Sequence, residues 1–207
     1  EENLEKSLKR LNSDYLDSYI LHSSRYAFYD EILTSLYEVK KQGKIRHCGV
    51  SGYYPDEAVA CINSNYVDFI QLPFSIFDQR MQKEGIFKLA KEKQNTQIHS
   101  RSAFIQGLIL MDEDKVPEFL SDAKPIIKKI DKLCKQFNIS RIELAMLFVK
   151  QFNAISHLVF GVDNIEQLRE NIEIFEHDFS KDTIRQIAKE FENIDANIVM
   201  PSLWVRK

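Results

Sequence analysis

The chain has 207 residues, of which 44% are hydrophobic and 29% are charged, and its formal net charge is -3; these values are typical of a globular domain with a large core. The weak negative charge and the lack of a long Lys/Arg run argue against a nucleic-acid partner or an anionic membrane surface. No apolar run approaches the roughly 18 residues of a membrane helix, and the start of the chain does not resemble a signal peptide.

Helical and strand periodicities alternate along the first half of the chain. Leu4, Leu8 and Leu11 share one helical face. Gly43 is a typical C-terminal stop for a helix, and Pro55 is a typical first residue of one. The pattern predicts a helix over 3–12, a strand over 16–22, a loop over 26–29, a helix over 30–42, a strand over 45–50, a helix over 55–63 and a strand over 67–71.

The second half continues this alternation and ends in helices. Ser140 and Glu143 form a predicted capping box at a helix start. The stretch 106–121 is irregular, and the tail around Trp204 is predicted to fold back as a loop. The pattern predicts a helix over 84–94, a strand over 97–102, helices over 125–137 and 141–151, a strand over 156–160, and helices over 164–175 and 180–193.

Short apolar strands that alternate with helices are typical of an α/β fold with a parallel sheet. In a parallel barrel, the loops at the carboxyl ends of the strands converge on one mouth. Each predicted strand ends in polar residues or in glycine, and we expect these ends to line one cavity. They are His22, Ser51, Gln71, Arg101 with Ser102, and Gly161.

A closed barrel of this kind has eight strands, whereas five are predicted here. Five strands alone would leave two unpaired edges, which favour aggregation. Three explanations are open: the first three strands lie outside this sequence, another chain supplies them, or the sheet is an open one. We favour the first explanation.

Four groups of short motifs occur in a fixed order along nearly the whole chain. They are SLKRL at 7–11 with DYLD at 14–17 and YILH at 19–22, GKIR at 43–46 with GVS at 49–51, QGL at 106–108, and Gly161 with Asn164 and the segments 166–168 and 170–171. Together they resemble the aldo-keto reductase superfamily from about its fourth barrel strand onward. The run 101–107 also resembles a bacterial branch of that superfamily that is sometimes encoded with surface-carbohydrate genes.

The resemblance implies a (β/α)8 TIM barrel of aldo-keto reductase type, with about five of the eight strands present. It implies that residues 1–207 form a single domain, the C-terminal portion of that barrel. It also implies an NAD(P)H-dependent oxidoreductase that reduces an aldehyde or ketone, sugars among the candidates, by hydride transfer. The partner would be a small-molecule carbonyl substrate, and the oligomeric state is left open.

His22 matches the catalytic histidine of the family, which polarises the substrate carbonyl through a hydrogen bond. The family's other catalytic groups, a tyrosine, a lysine and an aspartate, lie before its fourth strand and have no matching positions here. An alternative function is therefore a non-catalytic nucleotide-binding or partner-binding module of the same fold. An unrelated barrel hydrolase or lyase lacks support, because the sequence contains no paired carboxylates or nucleophile elbow.

The resemblance also assigns cofactor contacts. Arg101 stands where the family has an aromatic residue against the nicotinamide ring, and Gly52 replaces an expected asparagine. Asp163 lies near the usual 2′-phosphate positions, where no Lys or Arg occurs, so NADH is slightly favoured over NADPH. The matched contacts are Ser51 and Gln71 for the carboxamide, Arg101 for the ring, Ser102, Phe104, Gln106 and Gly107 for the pyrophosphate, Gly161, Val162 and Asp163 for the adenosine phosphate, and Gln167, Glu170 and Asn171 for adenosine.

Each of these positions also has a purely structural explanation. His22 and Gln71 could be satisfied polar groups of the core or a loop. Ser51 could cap a helix, and Gly161 could serve only a tight turn. Arg101 could pair with Asp78 or with a carboxylate of the tail.

The cysteines and the remaining histidines do not predict a metal site. Cys48, Cys61 and Cys134 have neither a metal-ligand spacing nor a disulfide pattern, which predicts a reducing, cytoplasmic location. No common spacing relates the other histidines, which are His47, His99, His157 and His177.

Overall fold

The computed structural model describes residues 2–204, except the side chain of Ser24. Its strands lie in one five-stranded sheet and are neighbours in the order in which they occur along the chain. They are β1 (Leu16–Leu21), β2 (Ile45–Ser51), β3 (Phe69–Pro73), β4 (Gln97–Arg101) and β5 (Ile155–Val159). The pairs β1–β2 and β2–β3 are parallel, so the predicted α/β class is confirmed.

Helices alternate with these strands and then follow one another at the end of the chain. They are α1 (Glu2–Leu11), α2 (Asp30–Lys41), α3 (Pro55–Asn63), α4 (Arg80–Lys83), α5 (Ile86–Lys93), α6 (Lys124–Phe137), α7 (Arg141–Lys150), α8 (Ile165–Glu176), α9 (Lys181–Lys189) and α10 (Ala196–Val199). Short 3-10 turns occur at Ser24–Phe28, Leu108–Leu110, Glu113–Lys115, Glu118–Ala123 and Pro201–Leu203.

The sequence pattern locates all five strands and the longer helices, with strand ends displaced by at most two residues. It does not predict α4 or α10, which have only four residues each. The helix predicted over 180–193 is wrong in its last part, because α9 ends at Lys189. Phe191 turns into the core there and packs against Phe77, with ring centroids 5.0 Å apart.

The chain divides into two compact units. The first comprises Glu1–Leu72 with Met81–His99, and the second comprises Pro73–Arg80 with Ser100–Lys207. The interpretation of the chain as a single domain stays a prediction.

In the first unit, α1 and α2 cover one face of β1 and β2. Asp68, just before β3, accepts hydrogen bonds from Lys40 of α2 at 2.5 Å and from the Cys48 N–H at 2.8 Å. Burial opposes ionisation of Asp68, but these bonds outweigh it and hold the pKa of the carboxyl below its usual value. The buried core on this face consists of Leu4, Leu8, Leu36, Val39, Ile45 and Cys48.

On the other face of the sheet, the ring of Phe69 occupies the space that a side chain at position 49 would fill. Gly49 of β2 pairs with Phe69 of β3, and a Cβ atom at position 49 would overlap the Phe69 ring. Phe69 in turn stacks on His99 of β4, with ring centroids 4.5 Å apart and planes 17° apart. Glycine is required at position 49 because the ring approaches the backbone so closely.

The second unit is organised around an aromatic cluster. The rings of Phe74, Phe148 and Phe152 have centroids 4.8–5.2 Å apart. Gln79 is almost fully buried, and its Nε2 donates to Ile76 O at 2.8 Å and to Ala188 O at 2.9 Å. These bonds fasten the loop after β3 to α9 without leaving a buried donor unpaired.

We predict that Gly49→Ala lowers the free energy of unfolding by about 1–3 kcal/mol, the usual cost of overpacking a filled core. The added methyl group must displace the Phe69 ring from its stack on His99. Urea unfolding followed by circular dichroism measures the change.

Gly161→Ala is the matched control, because a Cβ atom there meets nothing within 4 Å. Its free energy of unfolding should stay within about 0.5 kcal/mol of the wild-type value. Equal stability of the two variants would contradict the packing argument.

Candidate functional site

Three predicted site residues lie at the carboxyl ends of adjacent strands in the first unit. Ser51, the last residue of β2, pairs directly with Gln71 of β3. His22 follows Leu21, the last residue of β1, which pairs with Val50 of β2. His22, Ser51 and Gln71 therefore occupy neighbouring positions at one end of the sheet.

The strand register also fixes the face of the sheet to which these residues belong. Ile20, Gly49 and Phe69 are aligned across the three strands, and successive side chains of a strand point to opposite faces. The residues two positions further on are His22, Ser51 and Gln71. They share the face that carries Phe69, opposite the face covered by α1 and α2. Ser51 is buried, Gln71 is half-buried and His22 is exposed.

In the second unit, Arg101 ends β4 and is half-buried. Its Nη1 donates to Ser102 Oγ at 3.4 Å. Asp78, one alternative partner considered for Arg101, accepts two hydrogen bonds from Arg80, at 2.8 and 2.7 Å. Both carboxylate oxygens of Asp78 are thus engaged by the arginine two residues further along the chain.

The turn after β4 has an unusual backbone. Ser102, Ile105, Gln106 and Gly107 have positive φ angles of 65°, 48°, 52° and 86°. In residues other than glycine this conformation costs of order 1–3 kcal/mol each, so surrounding contacts must hold it. Successive backbone N–H groups in such left-handed turns form concavities that bind anions. We name residues 102–107 the left-handed turn.

The left-handed turn and the start of α8 border a cavity of about 420 Å³. Its volume lies within the range of about 300–1,000 Å³ that is typical of small-molecule sites. Leu110 and Ile142 line it although the sequence does not predict them, whereas Arg101, Ser102 and Val162 are outside its lining. The other lining residues are all predicted cofactor contacts: Phe104, Gln106, Gly107, Gly161, Asp163, Gln167, Glu170 and Asn171.

The N-terminus of α8 opens on this cavity. Asn164 Oδ1 accepts a hydrogen bond from the Gln167 N–H at 2.8 Å, and Gln167 Oε1 accepts one from the Asp163 N–H at 2.8 Å. These two bonds fix the first turn of the helix. Unpaired N–H groups and the helix dipole make such an end favourable for an anion.

Asn171 of α8 supplies an acceptor with no partner. The residue is only 3% exposed and lines the cavity. Its Oδ1 is buried and has no hydrogen-bond partner within residues 2–204. Leaving a buried acceptor unpaired costs about 1–3 kcal/mol. A ligand donor that reaches this oxygen would remove the cost.

The charge in the cavity is negative. Asp163 and Glu170 contribute carboxylates, and none of the described lining residues is a lysine or an arginine. Ligand hydroxyl and amino groups can donate to these oxygens.

The adenosine half of a dinucleotide fits this set of groups. Its amino group can donate to Asn171 Oδ1, and its ribose hydroxyls can donate to Asp163 or Glu170. Its phosphates match the start of α8, where the helix dipole favours an anion.

Among the described residues, 2–204, no group of three or more His, Cys, Asp or Glu side chains could hold a metal ion. None of the helices in that same part of the chain is long and apolar enough to cross a membrane.

The sequence matches the family model described as "Aldo/keto reductase family" over residues 1–191. The chain is 28% identical over 182 residues to the uncharacterised oxidoreductase YqkF of Bacillus subtilis, covering 83% of this chain and 58% of that protein. It is 27% identical over 189 residues to the NADH-specific methylglyoxal reductase of Escherichia coli, covering 83% of this chain and 57% of that protein. The chain thus spans little more than half the length of these relatives.

The fold is also similar to solved structures. The holo form of the aldo-keto reductase AKR11C1 from Bacillus halodurans superposes with a TM-score of 0.76 at 21% identity. The match covers 99% of this chain and 69% of that one. This similarity agrees with the predicted barrel of aldo-keto reductase type. The chain contains five strands of such a barrel.

We predict that Asn171→Leu raises the free energy of unfolding of the ligand-free chain by about 1 kcal/mol, because it removes a buried acceptor that has no partner. Urea unfolding without added nucleotide measures this gain.

The comparison variant is Asn95→Leu: Asn95 is exposed, and its Nδ2 donates to Ile62 O at 3.0 Å. That variant should lose about 1 kcal/mol. A loss of stability in Asn171→Leu as large as in the control would show that the Asn171 amide is satisfied within the protein.

Proposed function

The chain belongs to the aldo/keto reductase family, and from that premise we propose that it binds a reduced nicotinamide dinucleotide and reduces an aldehyde or ketone. The observation that carries the proposal is the cavity in the second unit, whose lining consists mostly of predicted cofactor contacts, Asn171 with its unpaired Oδ1 among them. Because the chain spans only part of its relatives, the activity of the whole protein is included in this proposal.

In the proposed site, the second unit holds the adenosine half of the cofactor. Asn171 accepts a hydrogen bond from the adenine amino group. The phosphates lie between the start of α8, with Gly161, Val162 and Asp163, and the left-handed turn, with Phe104, Gln106 and Gly107. The positive end of the α8 dipole favours them there. Gln167 and Glu170 contact the adenosine.

The first unit, taken by itself, carries the residues that the family resemblance assigns to the reacting end of the cofactor. Ser51 and Gln71 hold the carboxamide through hydrogen bonds, and His22 donates a hydrogen bond to the substrate carbonyl oxygen and polarises it. Arg101 and Ser102, which belong to the second unit, are assigned to the ring and the pyrophosphate. The bound nicotinamide supplies the hydride; the protein contributes position and electrostatics.

We propose that the cofactor is NADH rather than NADPH. Asp163 and Glu170 place two carboxylates in the cavity, and the described lining offers no cation for a 2′-phosphate. A carboxylate near the ribose favours the free hydroxyl and repels the added phosphate. The relative from Escherichia coli is named as NADH-specific, which supports the same choice.

The proposed substrate is a small-molecule carbonyl compound, with sugars and other small aldehydes or ketones as the candidates. One relative is named a methylglyoxal reductase, which supports a small aldehyde. We also propose a cytoplasmic location, since Cys48, Cys61 and Cys134 are all free thiols and free thiols are typical of a reducing compartment.

A second candidate function is a nucleotide-binding module without catalysis. Binding of cofactor without turnover would support this alternative.

We predict that the chain binds NADH about tenfold more tightly than NADPH, a difference of about 1.4 kcal/mol. Asp163→Asn should narrow this preference to about threefold, because it removes one of the carboxylates that oppose the 2′-phosphate. Titration of cofactor fluorescence measures both dissociation constants.

The matched control is Asp178→Asn, which changes an exposed carboxylate that pairs with Lys150 and is outside the cavity lining. It should leave the preference unchanged. Tighter binding of NADPH by the wild type would contradict the choice of cofactor, and a lack of binding of either cofactor would contradict the proposed function.

We predict that His22→Ala lowers kcat about 10²–10³-fold, as is usual when one polarising hydrogen bond is lost, and leaves the dissociation constant of NADH within about twofold of wild type. The assay follows oxidation of NADH in the presence of methylglyoxal and other small carbonyl compounds.

His47→Ala is the control, because His47 is exposed in the middle part of β2 and contacts the Asp17 carbonyl. It should retain wild-type kcat. If His22→Ala and wild type have equal kcat, His22 is not part of the catalytic site.

A further inference from the structure

Arg141 connects three separate segments of the second unit. It is the first residue of α7, and its side chain is only 16% exposed. Its Nη1 donates to Ile109 O at 3.1 Å and to Met111 O at 2.6 Å. Its Nε forms an ion pair with Asp131 Oδ1 of α6 at 2.8 Å. One guanidinium therefore holds the segment after the left-handed turn against both α6 and α7.

The two carbonyl groups held by Arg141 lie on either side of a cavity residue. Leu110, between Ile109 and Met111, lines the cavity, and so does Ile142, the residue that follows Arg141. By binding the carbonyls on both sides of Leu110, the Arg141 side chain fixes the position of Leu110. Ile142 is fixed as well, because it follows Arg141 in the chain. The sequence patterns that predict the other lining residues do not point to this pair.

We propose that Arg141 is a positioning residue for the nucleotide: it holds Leu110 and Ile142 as one wall of the cavity and thereby sets the affinity for the adenosine half. This inference rests on the proposed function. Arg141 does not line the cavity, so it acts through the residues that it holds.

The left-handed turn explains why such an anchor is needed. Ser102, Ile105 and Gln106 hold positive φ angles although none of them is glycine. Each costs of order 1–3 kcal/mol and persists only when neighbouring contacts outweigh the cost. The turn runs directly into the segment Leu108–Leu110, whose last carbonyls have no helical partners of their own. Arg141 supplies donors at that point.

A guanidinium is the side chain best suited to this role. It offers five N–H donors in a planar fork, so it can pair with Asp131 and with two carbonyls at once. Its Nη2 also pairs with Asp112 Oδ1 at 3.6 Å, so the guanidinium has two carboxylate partners besides the two carbonyls. Lysine carries its charge at one nitrogen and lacks the fork, so it would keep part of these bonds only.

The test compares Arg141→Ala with wild type and uses ADP-ribose and NADH as probes. We expect dissociation constants for both to rise about tenfold in the variant, the change expected when a charge-assisted hydrogen bond of ordinary strength is lost. Amide hydrogen exchange of residues 105–111 should become faster in the ligand-free variant, while exchange in β2 should stay unchanged.

Rescue distinguishes positioning from a general loss of structure. Methylguanidinium at millimolar concentration should return the ADP-ribose affinity of Arg141→Ala toward the wild-type value, and sodium chloride at equal ionic strength should not. Asp131→Asn keeps the carbonyl contacts and should weaken ADP-ribose binding less than Arg141→Ala does. Arg185→Ala, which removes an exposed arginine paired with Asp182, should bind as wild type.

The outcomes separate this inference from the proposed function. If wild type binds ADP-ribose and Arg141→Ala binds it within twofold, the positioning role is overturned while the proposed function stands. If wild type binds neither probe, the proposed function fails and this inference fails with it. Should Arg141→Ala not fold, Arg141→Lys replaces it; wild-type affinity and wild-type exchange over 105–111 in that variant would overturn the inference.

Discussion

The left-handed turn is the constraint on which the rest of the candidate site depends. Between Ser102 and Gly107 the backbone repeatedly adopts a conformation that side chains disfavour, and this bends the chain from the end of β4 to the cavity wall. The bend places Phe104, Gln106 and Gly107 in the same lining as the first residues of α8. Without it, the groups for phosphate and the unpaired Asn171 acceptor would not border a common space.

In the first unit, the corresponding constraint is the register of the parallel strands. A slip of one residue between β2 and β3 would move Gln71 to the opposite face, because side chains alternate along a strand. The ring of Phe69 over Gly49 opposes such a slip, since no other residue of β2 that pairs with β3 offers a position without a side chain. The packing that stabilises the sheet thus also aligns His22, Ser51 and Gln71.

Much of this molecule is predictable from its sequence, for identifiable reasons. The strand ends and the capping box at Ser140 are local signals, and the motifs at 106–108 and 161–171 locate most of the cavity lining. The roles of Leu110, Ile142 and Arg141 are not predictable this way, because they depend on where α6, α7 and the irregular stretch 106–121 meet. The unpaired Oδ1 of Asn171 is likewise not predictable, because it depends on how α8 is buried and not on the spacing of residues along the helix.

The central claim is that the cavity in the second unit binds the adenosine half of a reduced nicotinamide dinucleotide. A crystal structure of the chain with NADH tests it most directly. We expect the nucleotide in this cavity, with the adenine amino nitrogen about 2.7–3.2 Å from Asn171 Oδ1, the distance of an ordinary hydrogen bond. A nucleotide bound elsewhere, with the Asn171 oxygen still unpaired, would contradict the claim.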